Sequence, residues 1–185
     1  MARLDRLVDL LALDSLPRTG WILVGVPQPE SVAGHSLGAA LLALTLGPEV
    51  EPPLDVDRAA ALCAVHDTPE AWLGDLPRPG ASRLPDGAKH AAEQRIADDF
   101  LAPLSAALRD RVREYESRES REARFARLCD GLQLGLRLVG YRRAGQRGLD
   151  AFRATLERLD ASEFAPCESF RRELLEALDA LDRDA

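Results

Sequence analysis

Apolar positions recur along this chain at close to the period of an α-helix, and proline and glycine cut the pattern into segments. Leu4, Leu7, Leu10, Leu11 and Leu13 form an approximate helical stripe that ends near Pro17. Residues 17–30 contain Pro17, Gly20, Gly25, Pro27 and Pro29, which predicts an irregular loop. Ser31 is placed to cap a helix through Val32, Leu37, Leu41, Leu42 and Leu44 to Gly47. Beyond Pro48, Pro52 and Pro53, Asp55 or Asp57 caps a helix through Ala60, Leu62 and Val65, expected to end around Gly74. The Pro/Gly-rich stretch from Leu76 to Gly87 is too long for a tight turn and is expected to cover a site. Helices resume over 89–100, 103–115 and 119–140. Two more amphipathic helices, parted near Pro166, fill 149–181.

Composition supports the same reading. The chain has 32 leucines against two isoleucines and few aromatics, a balance that favours helices over strands. The expectation is an all-α fold of about eight helices. A length of 185 residues suits one domain, spanning 1–185, with enough chain for a proper core. The net charge of −7 comes with no basic stripe, which argues against a nucleic-acid polymer as partner. No apolar run approaches the ~18 residues of a membrane span. The amphipathic N-terminus lacks a signal-peptide core, so a cytoplasmic protein without membrane contact is expected. Cys63, Cys129 and Cys167 form no CxxC pair and read as small buried hydrophobes.

The chemistry concentrates in Ala64–Asp75. His66 and Asp67 stand side by side late in the predicted helix, and Glu70, at i+4 and i+3, leans toward the same face if that helix continues. Burying such a cluster is expensive unless something compensates it, and a divalent metal does so. Two neighbours alone cannot hold a metal. His35, in an Ala/Leu/Gly-rich helix, and Asp130, in another apolar stretch, complete a set of two histidines and two carboxylates on three helices. Taken singly, His35 is more often a satisfied interior histidine, and Asp130 reads also as a buried cap or salt-bridge partner. His90 reads as a solvated helix start, and Lys89 reads as that in preference to a contact with phosphate. Trp21, in the loop near Arg18, either stacks on a base or braces a sugar, or packs beneath the loop. Trp72 reads as core.

The order His35, His66-Asp67, Asp130 resembles the HD-domain metal-dependent phosphohydrolase superfamily. Pro17-Arg18-Thr19-Gly20-Trp21, Pro29 to Ser36, His66 to Glu70 and Gly74-Asp75-Leu76-Pro77 resemble its 5'-deoxynucleotidase branch. The likeness covers about residues 4–140, leaving the helices of 149–185 without a matching motif. It implies hydrolysis of nucleoside 5'-monophosphates to nucleoside and phosphate. It implies one divalent cation (Co, Mn, Zn, Mg or Fe) held by His35, His66, Asp67 and Asp130. It also implies working roles for Arg18 on the phosphate, Glu70 on the attacking water, and Asp75 on the sugar or leaving oxygen. The three-residue step from Arg18 to Trp21 resembles eukaryotic and archaeal members, whereas in the best-known bacterial ones the tryptophan follows directly. A modified nucleotide, a cyclic nucleotide or a triphosphate is the alternative substrate, and a non-enzymatic nucleotide-binding protein is the distant alternative. Relatives are commonly dimers, and the stripe Phe152, Leu156, Leu159, Phe170, Leu174, Leu178, Leu181 is a candidate homodimer interface, with packing inside the chain as the other reading.

Overall fold

The computed structural model describes residues 2–183. Among them the regular structure is helical, apart from one isolated antiparallel bridge between Pro17 and Ser31. The long elements are α1 (Arg3–Leu10), α4 (Val32–Leu46), α5 (Val56–Val65), α8 (Ala88–Ile96), α9 (Ala106–Ser117), α10 (Arg121–Arg143), α11 (Asp150–Glu157) and α12 (Ala165–Arg183). Short helical turns α3 (Thr19–Leu23) and α7 (Arg78–Ala81) fill stretches expected as loop, and α2 (Ala12–Ser15) and α6 (Glu70–Leu73) are separate pieces of helices expected to be continuous. The segment 17–30 is therefore not irregular throughout. Its α3 is closed by Val26 N–H donating to the Trp21 carbonyl, while Trp21 itself is pulled into the core.

The helix starts follow side-chain capping. Ser31 accepts from Gly34 N–H at 3.1 Å, Asp55 from Arg58 N–H at 2.9 Å, and Ser120 from Ala123 N–H at 3.1 Å. Ser105 caps α9, which moves its start beyond the expected Pro103. The largest departure lies in α5. It stops at Val65 rather than running to Gly74, because Pro69 has no N–H for a helical bond and restricts Thr68. The Thr68 hydroxyl donates back to the Val65 carbonyl at 2.8 Å and closes the end. His66 and Asp67 thus sit on a turn between α5 and α6. In α12, Pro166 lies inside the first turn, where its missing N–H is no loss, so the break before it falls at 158–164.

The core forms where α10 packs against α4, α5, α11 and α12. Leu62, Phe125, Leu132, Leu138, Leu156 and Phe164 are nearly inaccessible. The three cysteines are buried free thiols, as expected. The C-terminal stripe is spent inside the chain: Leu156, Leu174 and Leu178 are buried, and Phe152, Leu159, Phe170 and Leu181 pack on the same core. That overturns the stripe as a candidate interface between copies. A smaller cluster of Ala97, Leu101 and Val112 is covered by Leu10, Val65, Leu108 and Trp72, whose ring stacks on Phe100.

Glycine lets α11 and α12 approach α10. A Cβ at Gly135 would lie 2.9 Å from Leu156 Cδ1 and 3.1 Å from Leu174 Cδ1. Gly135→Ala is expected to destabilise the fold by about 1–3 kcal/mol, the usual effect of overpacking, read as a lower midpoint in urea with unchanged slope.

Candidate metal centre

Two helices and one turn supply the centre. α4 carries His35, α10 carries Asp130, and the turn after α5 carries His66 and Asp67. His35 Nε2 lies 3.0 Å from Asp130 Oδ1 and 3.8 Å from Asp67 Oδ2, and His66 Nε2 lies 3.2 Å from Asp67 Oδ2. Both imidazoles are anchored at the opposite nitrogen. His35 Nδ1 contacts Gln133 Oε1 at 2.5 Å, and His66 Nδ1 contacts the Cys63 carbonyl at 2.7 Å. These acceptors place the proton on Nδ1 and leave Nε2 with its lone pair facing inward. Both Nε2 atoms are buried without a hydrogen-bond partner. Nitrogen and oxygen ligand atoms of His35, His66 and Asp130 lie within 4.8 Å of one another.

Two buried lone pairs aimed at two carboxylates need a cation between them. The titration behaviour carries the same message. Burial alone would lower His66, but Asp67 and Asp130 outweigh it and push the imidazole up to about 9. Burial would raise Asp67, and His66, Arg18 and His35 overcome it and hold the carboxyl well below its usual range. Asp130 is likewise held down against its burial, through His35, His66 and Arg127. Without a metal, a proton and the arginines supply the positive charge this cage demands. A divalent ion fits the donor set of two imidazoles and two carboxylates.

Arg18 stands at the rim with three carboxylates around it. Its Nη1 lies 2.9 Å from Asp67 Oδ2, 3.2 Å from Asp75 Oδ1 and 4.0 Å from Glu70 Oε2. The left-handed φ of +79° at Gly74 turns the chain after α6 so that Asp75 comes back to Arg18, and Thr19 N–H donates to Asp75 Oδ2 at 2.5 Å. Glu70 is buried, and burial first, then Asp67 and Asp75, push its carboxyl up to about 9. Its Oε2 has no hydrogen-bond partner. The structure thus brings Arg18, Glu70 and Asp75 to the same cleft as the four ligand candidates, although Glu70 arrives on a new helical turn rather than along a continuous α5.

Trp21 does not offer a face to a ligand. It is 2% exposed, its ring stacks on Phe152 with centroids 3.8 Å apart, and its edge meets Tyr141. Its Nε1 donates to Glu30 Oε1 at 3.1 Å. The expectation that it stacks on a base gives way to packing beneath the loop. Glu30 also accepts from Gln133 Nε2 at 2.7 Å and from Arg137 at 2.8 Å, so a buried relay runs from Trp21 through Glu30 and Gln133 to His35.

Sequence reasoning passed over several of these residues. Arg127 and Gln133 stand three positions before and after the expected ligand Asp130 on α10, a spacing that puts all three on one face. Arg127 and the Tyr115 hydroxyl both donate to Asp130 Oδ2, at 3.1 and 2.8 Å. Lys89, expected in solvent, lies 3.7 Å from Glu70 and 3.1 Å from Glu93. Gln133→Leu is expected to weaken divalent-ion binding about 10–100-fold, as loss of a group that orients a metal-bound histidine does, measured by metal titration of the folded protein.

Comparison with known proteins agrees with this geometry. A family model described as HD domain matches residues 12–166. Human 5'-deoxynucleotidase HDDC2 is 32% identical over 133 residues, covering 70% of this chain, and the chain spans only 63% of that relative's length. The fission-yeast (Schizosaccharomyces pombe) 5'-deoxynucleotidase hdd1 is 27% identical over 77% of this chain and 75% of its own. Among solved structures, a Pyrococcus horikoshii protein superposes with a TM-score of 0.81 at 28% identity, covering 94% of this chain and 99% of its own. A predicted metal-dependent phosphohydrolase from Magnetospirillum magnetotacticum, 23% identical with a TM-score of 0.70 over 95% and 93% of the two chains, shares the fold.

Proposed function

Because this chain belongs to the HD domain family, we propose that it is a metal-dependent phosphatase that hydrolyses nucleoside 5'-monophosphates to nucleoside and phosphate. The observation that carries the reading is the pair of buried, partnerless Nε2 atoms of His35 and His66 converging on Asp67 and Asp130. The 5'-deoxynucleotidase relatives support the substrate class.

In this reading His35, His66, Asp67 and Asp130 hold one divalent ion. When bound, such an ion supplies Lewis-acid polarisation of the phosphoryl group and offsets its charge. Arg18 presents a planar fork to the non-bridging oxygens, a geometry that lysine lacks. Asp75 fixes that fork by pairing with it at 3.2 Å, and its remaining lone pairs accept from a sugar hydroxyl. Glu70 Oε2, which has no hydrogen-bond partner, orients the attacking water, and its carboxyl would take the water's proton once a bound cation offsets the burial and the Asp67 and Asp75 charges that push it up. Lys89, 3.7 Å from Glu70 Oε1, holds that carboxyl from its other side. The transition state spreads charge over the equatorial oxygens, so positioning and electrostatics provide most of the acceleration.

The test is phosphate release from a panel of dAMP, dGMP, dTMP, AMP and IMP in manganese or cobalt. Turnover that disappears with chelator and returns with metal is expected. Equal turnover in chelator would remove the metal from the reading, and no turnover of any nucleotide would remove the reaction.

A further inference from the structure

A groove of about 350 Å³ opens beside the metal centre, between the covering segment after α7 and the C-terminal end of α9. It adjoins the centre at two points. Lys89 lines it and lies 3.7 Å from Glu70, and Arg127 lines it and pairs with Asp130 at 3.1 Å. A nucleotide whose phosphate rests on Arg18 must send its nucleoside outward, and the groove has the size of a small-ligand site. One wall is apolar, formed by Ala81, Leu84 and Pro85, and suits the flat face of a base.

Glu116 and Arg118, from the C-terminal end of α9, also line the groove. Glu116 is partly buried and lies against His90, with 3.4 Å between Oε2 and Nδ1. Arg118 has φ 56° and ψ 20° at the C-cap of α9, a left-handed position that helices usually give to glycine. A side chain there carries backbone strain that glycine avoids. Among the described residues no carboxylate pairs with the Arg118 guanidinium, while its backbone N–H donates to the Glu114 carbonyl and its own carbonyl accepts from Arg124. This cap places the Arg118 donor fork, free of carboxylate partners among the described residues, at the groove rim.

We propose that this groove is a guanine-selective base site, in which Glu116 accepts from the N1–H and 2-amino group and Arg118 donates to O6 and N7. Among the common bases guanine alone offers a donor pair to a carboxylate and, on the adjoining edge, an acceptor pair to a guanidinium. Adenine presents an acceptor at N1 and a donor at N6, which meets both side chains with the wrong polarity. Pyrimidines have no N7. The inference rests on the phosphatase reading and adds the base to it.

The experiment compares kcat/KM for dGMP and dAMP in manganese, with calorimetric titration of the product nucleosides deoxyguanosine and deoxyadenosine as a second readout. The wild-type protein is expected to favour dGMP about tenfold or more. Arg118→Gly is expected to bring that ratio near one, mainly through KM, and to remove the preference for deoxyguanosine in calorimetry. Because glycine relieves the left-handed strain, its melting temperature should hold or rise, so a collapse of the ratio is not unfolding. Glu116→Gln should lower the ratio in the same direction. Equal kcat/KM for the two nucleotides in the wild type, or a ratio unmoved in both variants, overturns the base site while leaving the phosphatase standing. A wild-type protein that releases phosphate from neither nucleotide overturns the phosphatase reading, and the base site falls with it.

Discussion

Asp67→Asn is expected to abolish phosphate release, by about 10³-fold or more, while the helical circular dichroism of the protein stays unchanged. Asp67 Oδ2 is the atom on which the centre turns: it lies 3.2 Å from His66 Nε2, 3.8 Å from His35 Nε2 and 2.9 Å from Arg18 Nη1. The substitution keeps the shape of the side chain and removes the charge. Losing a metal's charge stabilisation removes several kcal/mol, and each 1.36 kcal/mol is tenfold in rate, which sets the scale. The turn that carries Asp67 is fixed by Pro69 and the Thr68 hydroxyl, neither of which depends on the carboxylate. Steady-state phosphate release together with bound-metal analysis checks the outcome. Turnover within tenfold of wild type would mean that Asp67 is not a ligand.

Arg18→Ala is expected to act on both catalysis and stability, and unequally with and without metal. Catalytically it removes the donor fork for phosphate. Hydrogen bonds to charged groups are worth about 1.5–3 kcal/mol, so kcat/KM should fall roughly 10–150-fold. Structurally it leaves Asp67, Glu70 and Asp75 facing one another without their shared cation. Burial lowers the affinity of Arg18 for its proton, yet Asp67, Asp75, Asp130 and Glu70 together raise it above its ordinary value, a measure of how strongly the cluster holds the guanidinium. Breaking a buried ion pair costs about 3–5 kcal/mol, so the chelated variant should melt well below the chelated wild type. Added manganese or cobalt should restore more stability to the variant than to the wild type. Thermal melts with and without chelator read this directly. An unchanged melting temperature in chelator would show that the carboxylates tolerate one another without Arg18.

Much of the architecture can be read from local pattern. Ser31 before an apolar run announces α4, the Asp55 cap announces α5, and leucine-rich stripes announce α10 and the C-terminal helices, because capping and periodicity are properties of neighbours in sequence. The four ligand candidates were also legible, since a histidine or aspartate in an apolar stretch needs a polar reason. What escaped depends on contacts between distant segments. Trp21 looked like a loop residue beside Arg18, and only Phe152, Tyr141 and Glu30 show it to be a buried brace. Lys89 looked solvated, because nothing local reveals that α8 folds back over Glu70. Gln133 is an ordinary polar residue on α10 until His35, 98 positions earlier, arrives against it. The break after Val65 was readable in principle, since Thr68-Pro69 already disfavours a continuous helix.

Cobalt titration of the metal-stripped protein, followed by X-ray absorption at the cobalt edge, tests the centre most directly. One ion per chain is expected, with two imidazole nitrogens and carboxylate oxygens at about 2.0–2.2 Å, and with affinity lost in His35→Ala, His66→Ala and Asp130→Ala. A protein that binds no cobalt, or one whose bound cobalt shows no imidazole and ignores those three substitutions, would contradict the account.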